Sequence, residues 1–225
     1  MNKIIITGTS RGIGNAIAKN LLKQNVTVIG ISRKHTIKHK NYFAISFDLN
    51  DLKNIKNILD DIIFNHKKID AIISSAGYGV FENLENLKEK EVIDFFNVNL
   101  LAHILISKIL VSHFKKKKTG HFIFIGSEAS LKGNQKSTLY SAAKHGLLGF
   151  VKSFREECNK SEIRVTIINP GMVNSSFFKK LKFSPGKSIK NSIKLADIAE
   201  LVFFILNSNP NINYNDIYLS PIKKV

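Results

Sequence analysis

Two side chains near the start of a predicted helix have the types and the spacing to exchange a proton with a bound molecule. They are the ends of Tyr140-Ser-Ala-Ala-Lys144, a stretch without proline whose apolar residues recur with the period of an α-helix. Residues four apart lie on one face of a helix, so both side chains point the same way. An ammonium near a phenol favours the phenolate, and we expect the pKa of Tyr140 to fall below its ordinary value of ~10. Such a phenol could act as a general acid or base towards a substrate oxygen.

This pair also has a simpler explanation. The 225 residues include 30 lysines and five tyrosines, so the spacing can arise by chance. The alternative is an amphipathic helix that carries one surface lysine. The remainder of the chain favours the chemical interpretation.

A glycine-rich turn near the N-terminus predicts a phosphate site. It follows the β-branched run Lys3–Thr7 and precedes a helical pattern. Glycine lets the backbone approach a pyrophosphate closely, and a helix N-terminus supplies N–H donors. The spacing Gly-x-x-x-Gly-x-Gly differs from the common dinucleotide fingerprint, and such a turn can also be a simple tight connection. The residues assigned to this site are Gly8, Thr9, Ser10, Arg11, Gly12, Ile13 and Gly14.

The end of the second predicted strand indicates which dinucleotide would bind. In dinucleotide-binding folds an acid at this point selects NAD, whereas an arginine accommodates the 2′-phosphate of NADP. Here the chain reads Ser32-Arg33-Lys34, and Arg11 lies in the glycine turn, so two of only four arginines fall at this place. We predict NADP rather than NAD. The alternative is two solvent-facing arginines.

Alternating strand and helix patterns predict an α/β fold. We expect a single domain over residues 1–225, with a Rossmann-like, doubly wound, parallel seven-stranded sheet flanked by helices. The predicted helices follow the glycine turn, cover 51–66 with Asp51 as N-cap, cover 88–114, include the Tyr140 stretch, and cover 195–206. The predicted strands are Lys3–Thr7, Asn25–Ile31, Tyr42–Phe47, Ile69–Ser75, His121–Gly126, Ile163–Ile168 and Asp216–Ser220.

Three further features lie where ligands bind in open α/β sheets, at the carboxyl ends of strands. Ser127 follows the fifth strand. Asn99 lies in the middle of a predicted helix, where asparagine is a poor choice, which indicates either a tolerated polar residue or a backbone irregularity. Residues 172–194 form a long segment that we interpret as a mobile lid, in which Phe177 and Phe178 close an apolar pocket or belong to the core.

Composition restricts the remaining possibilities. The net charge of +17 suggests nucleic acid, but 30 of the 34 cations are lysines, which we interpret as a solvated surface biased by codon usage. The run Lys115–Lys118 is the alternative anionic-surface site. The lone Cys158 excludes an internal disulfide, the seven histidines are scattered, and we expect no metal. No apolar run approaches the ~20 residues of a membrane span, so we expect a cytoplasmic protein without membrane contact.

Taken in order, these motifs resemble those of the short-chain dehydrogenase/reductase family over nearly the whole chain. Thr7 to Gly14 resemble its cofactor turn, and Ser127 precedes Tyr140 by the usual 13 positions. Ser74-Ser75-Ala76-Gly77 stands where the family has Asn-Asn-Ala-Gly, so two serines replace the asparagines that brace the central sheet in the family. The resemblance implies that Asn99, Ser127, Tyr140 and Lys144 are catalytic. It also implies that the cofactor contacts Arg33, Asp48, Leu49, Ala76, Gly77, Tyr140, Lys144, Pro170, Gly171, Val173 and Ser175, beside the glycine turn.

The resemblance further implies a reaction and an assembly. NADPH would deliver hydride to a carbonyl carbon of a small-molecule ketone, aldehyde or 3-oxoacyl substrate, and the same enzyme could oxidise the alcohol in reverse. Tyr140 would protonate the oxygen, Ser127 would donate a hydrogen bond to it, and Asn99 would hold a water that relays protons to Lys144. Members usually form homodimers or homotetramers through the two long helices. The alternative function is an NADP(H)-binding sensor or scaffold with little turnover.

Overall fold

The computed structural model describes residues 2–181, 183–186 and 188–223, and it contains one seven-stranded sheet. All neighbouring strands pair in parallel, in the order β3-β2-β1-β4-β5-β6-β7. The predicted doubly wound parallel sheet is therefore confirmed. The strands are β1 (Lys3–Thr7), β2 (Thr27–Ser32), β3 (Tyr42–Ser46), β4 (Ala71–Ser74), β5 (Gly120–Ile125), β6 (Ile163–Pro170) and β7 (Asp216–Leu219).

Helices cover both faces of the sheet, which explains why its central strands are apolar on both sides. One face packs against α1 and α6, through side chains such as Ile17 and Val202. The other face packs against α2, α4 and α5, through side chains such as Leu59, Leu110 and Val151. The helices are α1 (Gly12–Lys23), α2 (Ile55–His66), α3 (Glu89–Phe96), α4 (Ala102–Lys117), α5 (Thr138–Cys158) and α6 (Leu195–Asn207).

The predicted helix over residues 88–114 is two helices joined by a π-helical turn. The turn spans Asn97–Leu101 and contains Asn99, so the irregularity suggested by this asparagine is present. A π turn holds one residue more than an α turn and is common at functional sites. It fixes which side chains of α3 and α4 face the carboxyl ends of the strands.

Several predicted boundaries differ from the structure. A 3₁₀ turn, Leu52–Asn54, follows Asp51, and the α-helix starts only at Ile55, so Asp51 does not cap α2 as predicted. The Asp51 carboxylate accepts instead from the Asn54 amide at 2.7 Å. Strand β6 continues through Pro170, because this strand pairs with β7 up to Leu219 and proline loses no hydrogen bond at a strand end.

The segment between β6 and α6 has little regular structure, and its residues 182 and 187 lie outside the described part of the chain. Its two ends are held together by a parallel bridge between Val173 and Ile193, with the Ile193 N–H donating to Met172 at 2.8 Å. Short 3₁₀ turns, Ser176–Lys180 and Ile189–Asn191, lie between them. The segment thus leaves and rejoins the body of the protein at one place, and its mobility stays a prediction.

The lysine run at the end of α4 is partly structural. The helix continues to Lys117 rather than ending near Phe114 as predicted. The Lys117 ammonium donates to the Ile69 carbonyl at 2.9 Å and to the Asp70 carboxylate at 2.5 Å. Lys117 therefore links the end of α4 to the residues just before β4.

One helical stretch passes a simple test for a membrane span. Residues Glu89–Lys117 are long and apolar enough on length and composition alone, with a mean hydropathy of 1.6 and 39% of the most apolar window buried. Our prediction that no stretch approaches this length is wrong by these two criteria, because Asn, His and Ser interrupt the apolar run without lowering its mean hydropathy enough. A core helix of a soluble protein passes the same test, so the finding is weak support for a membrane span.

Candidate active site

The predicted site residues gather at the carboxyl edge of the sheet, around the point where the strand order reverses. Strand β1 has β2 on one side and β4 on the other, so the turns after β1 and β4 diverge and leave a crevice. Gly8 follows β1, and Ala76 and Gly77 follow β4. Dinucleotides bind in such crevices.

The turn after β1 has the shape that a pyrophosphate requires. Gly8 and Gly12 have φ angles of +77° and +64°, which side chains rarely adopt. A Cβ on Gly8 would lie 2.9 Å from the Ala76 Cα, and one on Gly14 would lie 2.6 Å from the Gly8 carbonyl oxygen. The first turn of α1 carries no acidic residue, and the side chain of its N-cap, Arg11, caps no N–H group. These residues therefore fit an anionic cofactor group at the N-terminus of α1.

Thr9 connects this turn to the adenosine side of the crevice. It is buried, and its hydroxyl hydrogen-bonds the Tyr42 hydroxyl at 2.8 Å and the Ser32 hydroxyl at 3.3 Å. The Tyr42 hydroxyl in turn meets His35 Nδ1 at 2.7 Å. The network holds the glycine turn against the end of β2, so the position of Arg33 is coupled to that of the turn.

The residues predicted to hold adenosine lie at the ends of β2 and β3. Arg33 and Asp48 are exposed and form an ion pair of 3.9 Å, while the next residue, Leu49, is buried. Arg11 is exposed at the start of α1. Both arginine side chains are therefore accessible at this end of the crevice, and the carboxylate near Arg33 balances one of the two positive charges.

Three side chains hold the turn after β4. The Thr7 hydroxyl accepts from the N–H groups of Ser75 and Ala76 at 3.0 and 3.1 Å. Asn99 Oδ1 accepts from the Tyr78 N–H at 3.1 Å, and its amide donates to Phe95 at 3.0 Å. A Cβ on Gly77 would lie 2.8 Å from Asn99 Oδ1, so the close approach requires glycine. The Asn99 side chain thus supports the turn that faces the cofactor crevice.

His103 supplies the third support, and our sequence analysis did not identify it. Its Nε2 lies 3.0 Å from the Ala76 carbonyl oxygen, and its side chain is 1% exposed. Burial first, and then the charge of Lys144, lower its pKa from 6.5 to about 3. A neutral imidazole therefore donates from Nε2 to Ala76. Among the described residues, no partner is found for the buried hydroxyls of Ser74 and Ser75, so the contact of His103 with Ala76, rather than these two hydroxyls, supports the turn.

Ser127 lies on the opposite wall, after β5. Its N–H donates to the buried Asn169 side chain at 3.2 Å, and its hydroxyl accepts from the Ala129 N–H at 3.1 Å. Its side chain also interacts with the Tyr140 phenol, whose pKa it lowers. Asn169 ends the apolar part of β6, so the sheet itself fixes the position of Ser127.

Tyr140 and Lys144 lie on one face of α5, as the four-residue spacing predicts. The Lys144 ammonium is 5.8 Å from the centroid of the Tyr140 ring and donates to the Ile125 carbonyl at 3.1 Å. Burial lowers the pKa of Lys144 to about 8. The expected fall in the pKa of Tyr140 is wrong for this structure, because burial raises that pKa more than the nearby Ser127 side chain lowers it.

The residues predicted beside the nicotinamide lie after β6. Pro170 ends that strand, and the Gly171 N–H donates to Leu219 at 2.8 Å. Val173 is buried, and the Ser175 hydroxyl accepts from the Phe177 N–H at 3.3 Å. These four residues form the wall of the crevice on the β6 side.

This geometry agrees with what comparison with known proteins finds. A family model for short chain dehydrogenases matches residues 2–184. The chain belongs to the short-chain dehydrogenase family. That membership, inferred above from the motifs alone, makes the protein an oxidoreductase and confirms both the resemblance and the enzyme class.

Two curated relatives of this short-chain dehydrogenase illustrate the range of similarity. It is 35% identical to 3-oxoacyl-[acyl-carrier-protein] reductase FabG of Buchnera aphidicola, over 89% of this chain and 87% of that protein. It is 29% identical to carbonyl reductase family member 4 of Xenopus laevis, over 92% of each chain.

A solved structure agrees in fold. The alcohol dehydrogenase of the archaeon Thermococcus sibiricus, solved with 5-hydroxy-NADP, superimposes with a TM-score of 0.88 at 24% identity, over 100% of this chain and 99% of that one. Another is 3-ketoacyl-(acyl-carrier-protein) reductase from Brucella melitensis with NADH, at a TM-score of 0.88 and 19% identity over 96% of both chains.

Sequence reasoning missed side chains whose contacts come from distant parts of the chain. Tyr42 and Asn169 carry no motif, since a strand residue and a residue before proline have many ordinary uses. His103 left one signal, because it lies four residues after Asn99 in a helix with few other polar residues nearby. Two polar residues at that spacing share a face.

The buried imidazole of His103 makes stability depend on pH. Below pH 6.5 the His103 imidazole binds a proton in the unfolded chain, whereas in the folded chain it stays neutral until about pH 3. The free energy of unfolding therefore falls as the pH drops from 6.5 to about 3. Each such histidine contributes a slope of up to about 1.4 kcal/mol per pH unit. We expect His103→Gln to make the dependence shallower, as measured by urea unfolding between pH 4 and 7.

The matched control is His39→Gln, which changes an exposed loop imidazole. Buried His121 contributes a slope of its own in every variant, since burial lowers its pKa as well. An unchanged slope in His103→Gln would show that this imidazole is protonated in the folded protein.

Proposed function

We propose that this protein is an NADPH-dependent reductase that converts a ketone, aldehyde or 3-oxoacyl group into an alcohol. One observation carries the proposal: the Tyr140 ring lies 5.8 Å from the buried Lys144 ammonium, and the Ser127 side chain is close enough to lower the pKa of Tyr140, all at the carboxyl edge of the sheet. A protein that only binds a cofactor needs no such group of donors. The relatives named as 3-oxoacyl and carbonyl reductases support the same reaction type.

The proton chemistry follows from this arrangement. When bound, NADPH supplies the hydride that the carbonyl carbon accepts. Ser127 donates a hydrogen bond to the carbonyl oxygen as negative charge develops there. Because the pKa of Tyr140 is raised, its phenol is fully protonated at neutral pH and gives its proton to that oxygen.

Lys144 restores the proton. With a pKa of about 8 it is largely protonated at pH 7, yet it releases its proton far more readily than an exposed lysine does. The ammonium also stabilises the phenolate that Tyr140 becomes during transfer. Asn99 keeps its place in the proposal as a positioning residue, and the relay water near it stays a prediction.

The preference for NADP is supported by charge. Arg11 and Arg33 are exposed at the adenosine end of the crevice, and Asp48 pairs with Arg33 at 3.9 Å rather than standing alone for a ribose hydroxyl. A guanidinium binds a 2′-phosphate with strong charge-assisted hydrogen bonds. Solved structures of this fold have been obtained with NADP and with NADH, so the fold alone does not indicate which cofactor binds. The preference for NADP therefore rests on the two arginines.

Assembly and location complete the proposal. We expect a cytoplasmic homodimer or homotetramer formed through the long helical stretch that begins at Lys88 and through α5. Ile93 and Leu101 are 59% and 39% exposed at the junction of α3 and α4, and apolar side chains of this size are more stable when a second subunit covers them. A dimer contact would also account for the apolar surface that the long stretch 89–117 leaves unburied.

Tyr140→Phe tests the reaction. The variant keeps its ring packing but loses the proton donor, so we expect NADPH binding to be unchanged and carbonyl reduction to fall by about 10²- to 10⁴-fold. The measurement is NADPH oxidation across a panel of aldehydes, ketones and 3-oxoacyl thioesters, with cofactor affinity from fluorescence titration. Tyr218→Phe, at an exposed position on β7, is the matched control.

If Tyr140→Phe oxidised NADPH at the wild-type rate, Tyr140 would not be the proton donor. Tight NADPH binding by the wild-type protein without oxidation on any member of the panel would contradict the enzyme and favour the sensor or scaffold.

Arg33→Ser tests the cofactor. We expect the Kd of NADPH to rise by about 10- to 100-fold while the Kd of NADH stays the same, because only the 2′-phosphate loses its partner. Lys40→Ser, an exposed cation in the following loop, is the control. An equal loss for both cofactors would contradict a role for Arg33 in selecting NADP.

Leu101→Glu tests the assembly. We expect light scattering after size exclusion to show an oligomer for the wild-type protein and a monomer for the variant, because a carboxylate would be buried without a partner in the contact. Phe64→Glu, at a 78% exposed position on α2, is the control and keeps the wild-type mass. A wild-type monomer would refute the expectation.

A further inference from the structure

Four phenylalanines form a closed circuit of ring contacts above Tyr140, which we name the aromatic cap: Phe81, Phe177, Phe178 and Phe183. Phe81 comes from the loop after β4, and the other three come from the segment after β6. The centroid distances around the circuit are 6.4 Å (Phe81 to Phe177), 5.2 Å (Phe177 to Phe178), 5.7 Å (Phe178 to Phe183) and 4.8 Å (Phe183 to Phe81). The cap joins two segments that are otherwise far apart in the sequence.

The cap rests directly on the proposed proton donor. The Phe81 and Phe177 rings lie 5.1 and 5.9 Å from the Tyr140 ring. Below, Tyr140 packs on an apolar cluster that contains Phe95 and Leu139. Tyr140 therefore lies between two apolar layers, and a carbonyl group that reaches its hydroxyl must place its substituents against hydrocarbon.

A glycine keeps the cap closed. A Cβ on Gly79 would lie 2.5 Å from Phe81 Cε2 and 2.6 Å from Phe177 Cζ, which is closer than real contacts allow. The two rings can occupy their positions only because this residue has no side chain. The cap is thus specified by the loop after β4 as well as by the four phenylalanines.

The cap decides among the substrates that the proposed function leaves open. Aromatic rings prefer edge-to-face or offset contacts with one another, and a phenyl group among these rings would gain both area burial and ring contacts. A carboxylate next to the reacting carbonyl would instead lose its water to a hydrocarbon surface. The net charge of +17 favours acidic substrates, but the rings of Phe81 and Phe177 pack against Tyr140. The one lysine described beside Tyr140, Lys144, is buried.

We propose that the substrates are uncharged ketones or aldehydes with an aromatic or similarly bulky hydrocarbon group on the carbonyl carbon. Phe81 and Phe177 are the residues that select them. The inference rests on the proposed reductase function, and it adds the substrate class and the selecting side chains to it. It excludes small hydroxy acids and 2-oxo acids as preferred substrates.

Three matched probes test the substrate class: ethyl benzoylformate, ethyl pyruvate and benzoylformate. Ethyl benzoylformate and ethyl pyruvate differ in having a phenyl or a methyl group on the carbonyl carbon. Ethyl benzoylformate and benzoylformate differ in having an ester or a carboxylate. We expect kcat/KM to be highest for ethyl benzoylformate, by about tenfold or more over each of the others. Equal values for ethyl benzoylformate and ethyl pyruvate would overturn the inference while leaving the reductase function intact.

Variants locate the preference in the cap. Phe177→Leu and Phe81→Leu should reduce the phenyl-to-methyl ratio of kcat/KM several-fold, because the value for ethyl benzoylformate falls further than the value for ethyl pyruvate. Gly79→Ala should act in the same direction by forcing the two rings apart. Phe204→Leu, an exposed ring on α6, is the control. A ratio that survives all three substitutions would overturn the role of the cap.

A binding measurement separates the inference from the reaction. Saturation-transfer NMR on the protein with NADPH compares the alcohols ethyl mandelate and ethyl lactate, which the reduced cofactor cannot oxidise, so the measurement involves no turnover. Tighter binding of ethyl mandelate that is lost in Phe177→Leu would support the inference even if none of the three carbonyl probes were reduced. Equal binding of the two alcohols would overturn it whether or not the enzyme is active.

Discussion

The site depends on one short-range contact between two strands' ends. The Thr7 hydroxyl, at the end of β1, accepts hydrogen bonds from two successive N–H groups after β4. This contact holds the turn at Ala76 so close to Gly8 that a Cβ on Gly8 would lie 2.9 Å from the Ala76 Cα. Because the strand order reverses at this place, the two turns separate beyond the contact and form the crevice. Asn99 and His103 support the same turn from the other side, through the Tyr78 N–H and the Ala76 carbonyl.

Burial governs the electrostatics of the site. Tyr140, Lys144 and His103 are each shifted towards their neutral forms, since the surrounding side chains solvate charge poorly. Such a site holds protons firmly until a charge develops in it. Hydride transfer creates negative charge on a carbonyl oxygen, and that is the event for which Ser127 and Tyr140 are arranged. The same poor solvation explains why the cap disfavours a charged substituent on the substrate.

Much of the fold could be predicted because its signals are local. Apolar β-branched runs such as Lys3–Thr7, glycine turns and a helical period each lie within a few residues, and parallel pairing follows from their alternation with helices. The family motif also gave the position of Ser127 relative to Tyr140. The direction of the pKa shift at Tyr140 was not accessible, since the spacing to Lys144 was visible but the burial by Phe81 and Phe177 was not.

Contacts between distant segments account for the other differences. Phe81 belongs to a loop with no motif, and its role arises only from the place where the segment after β6 returns. Tyr42 supports Thr9 from another strand, across 33 positions of sequence. The π turn was predicted only in part. Asn99 indicated an irregularity in the helix, but the sequence did not indicate that it would be a π turn.

The π turn at Asn97–Leu101 has a consequence for how this protein can vary. Asn99 and His103 reach the same turn after β4 from one side of the helix, so their angular relation is set by the number of residues between them. Deleting one residue there would rotate the following helix by about 100° and swing the imidazole away from Ala76. Length changes should therefore be found in the segment after β6, whose two ends meet at the Val173 and Ile193 bridge, and not in the middle of this helix. A protein of this kind can thus acquire new substrates by lengthening one loop while the spacing of its proton-handling residues stays fixed.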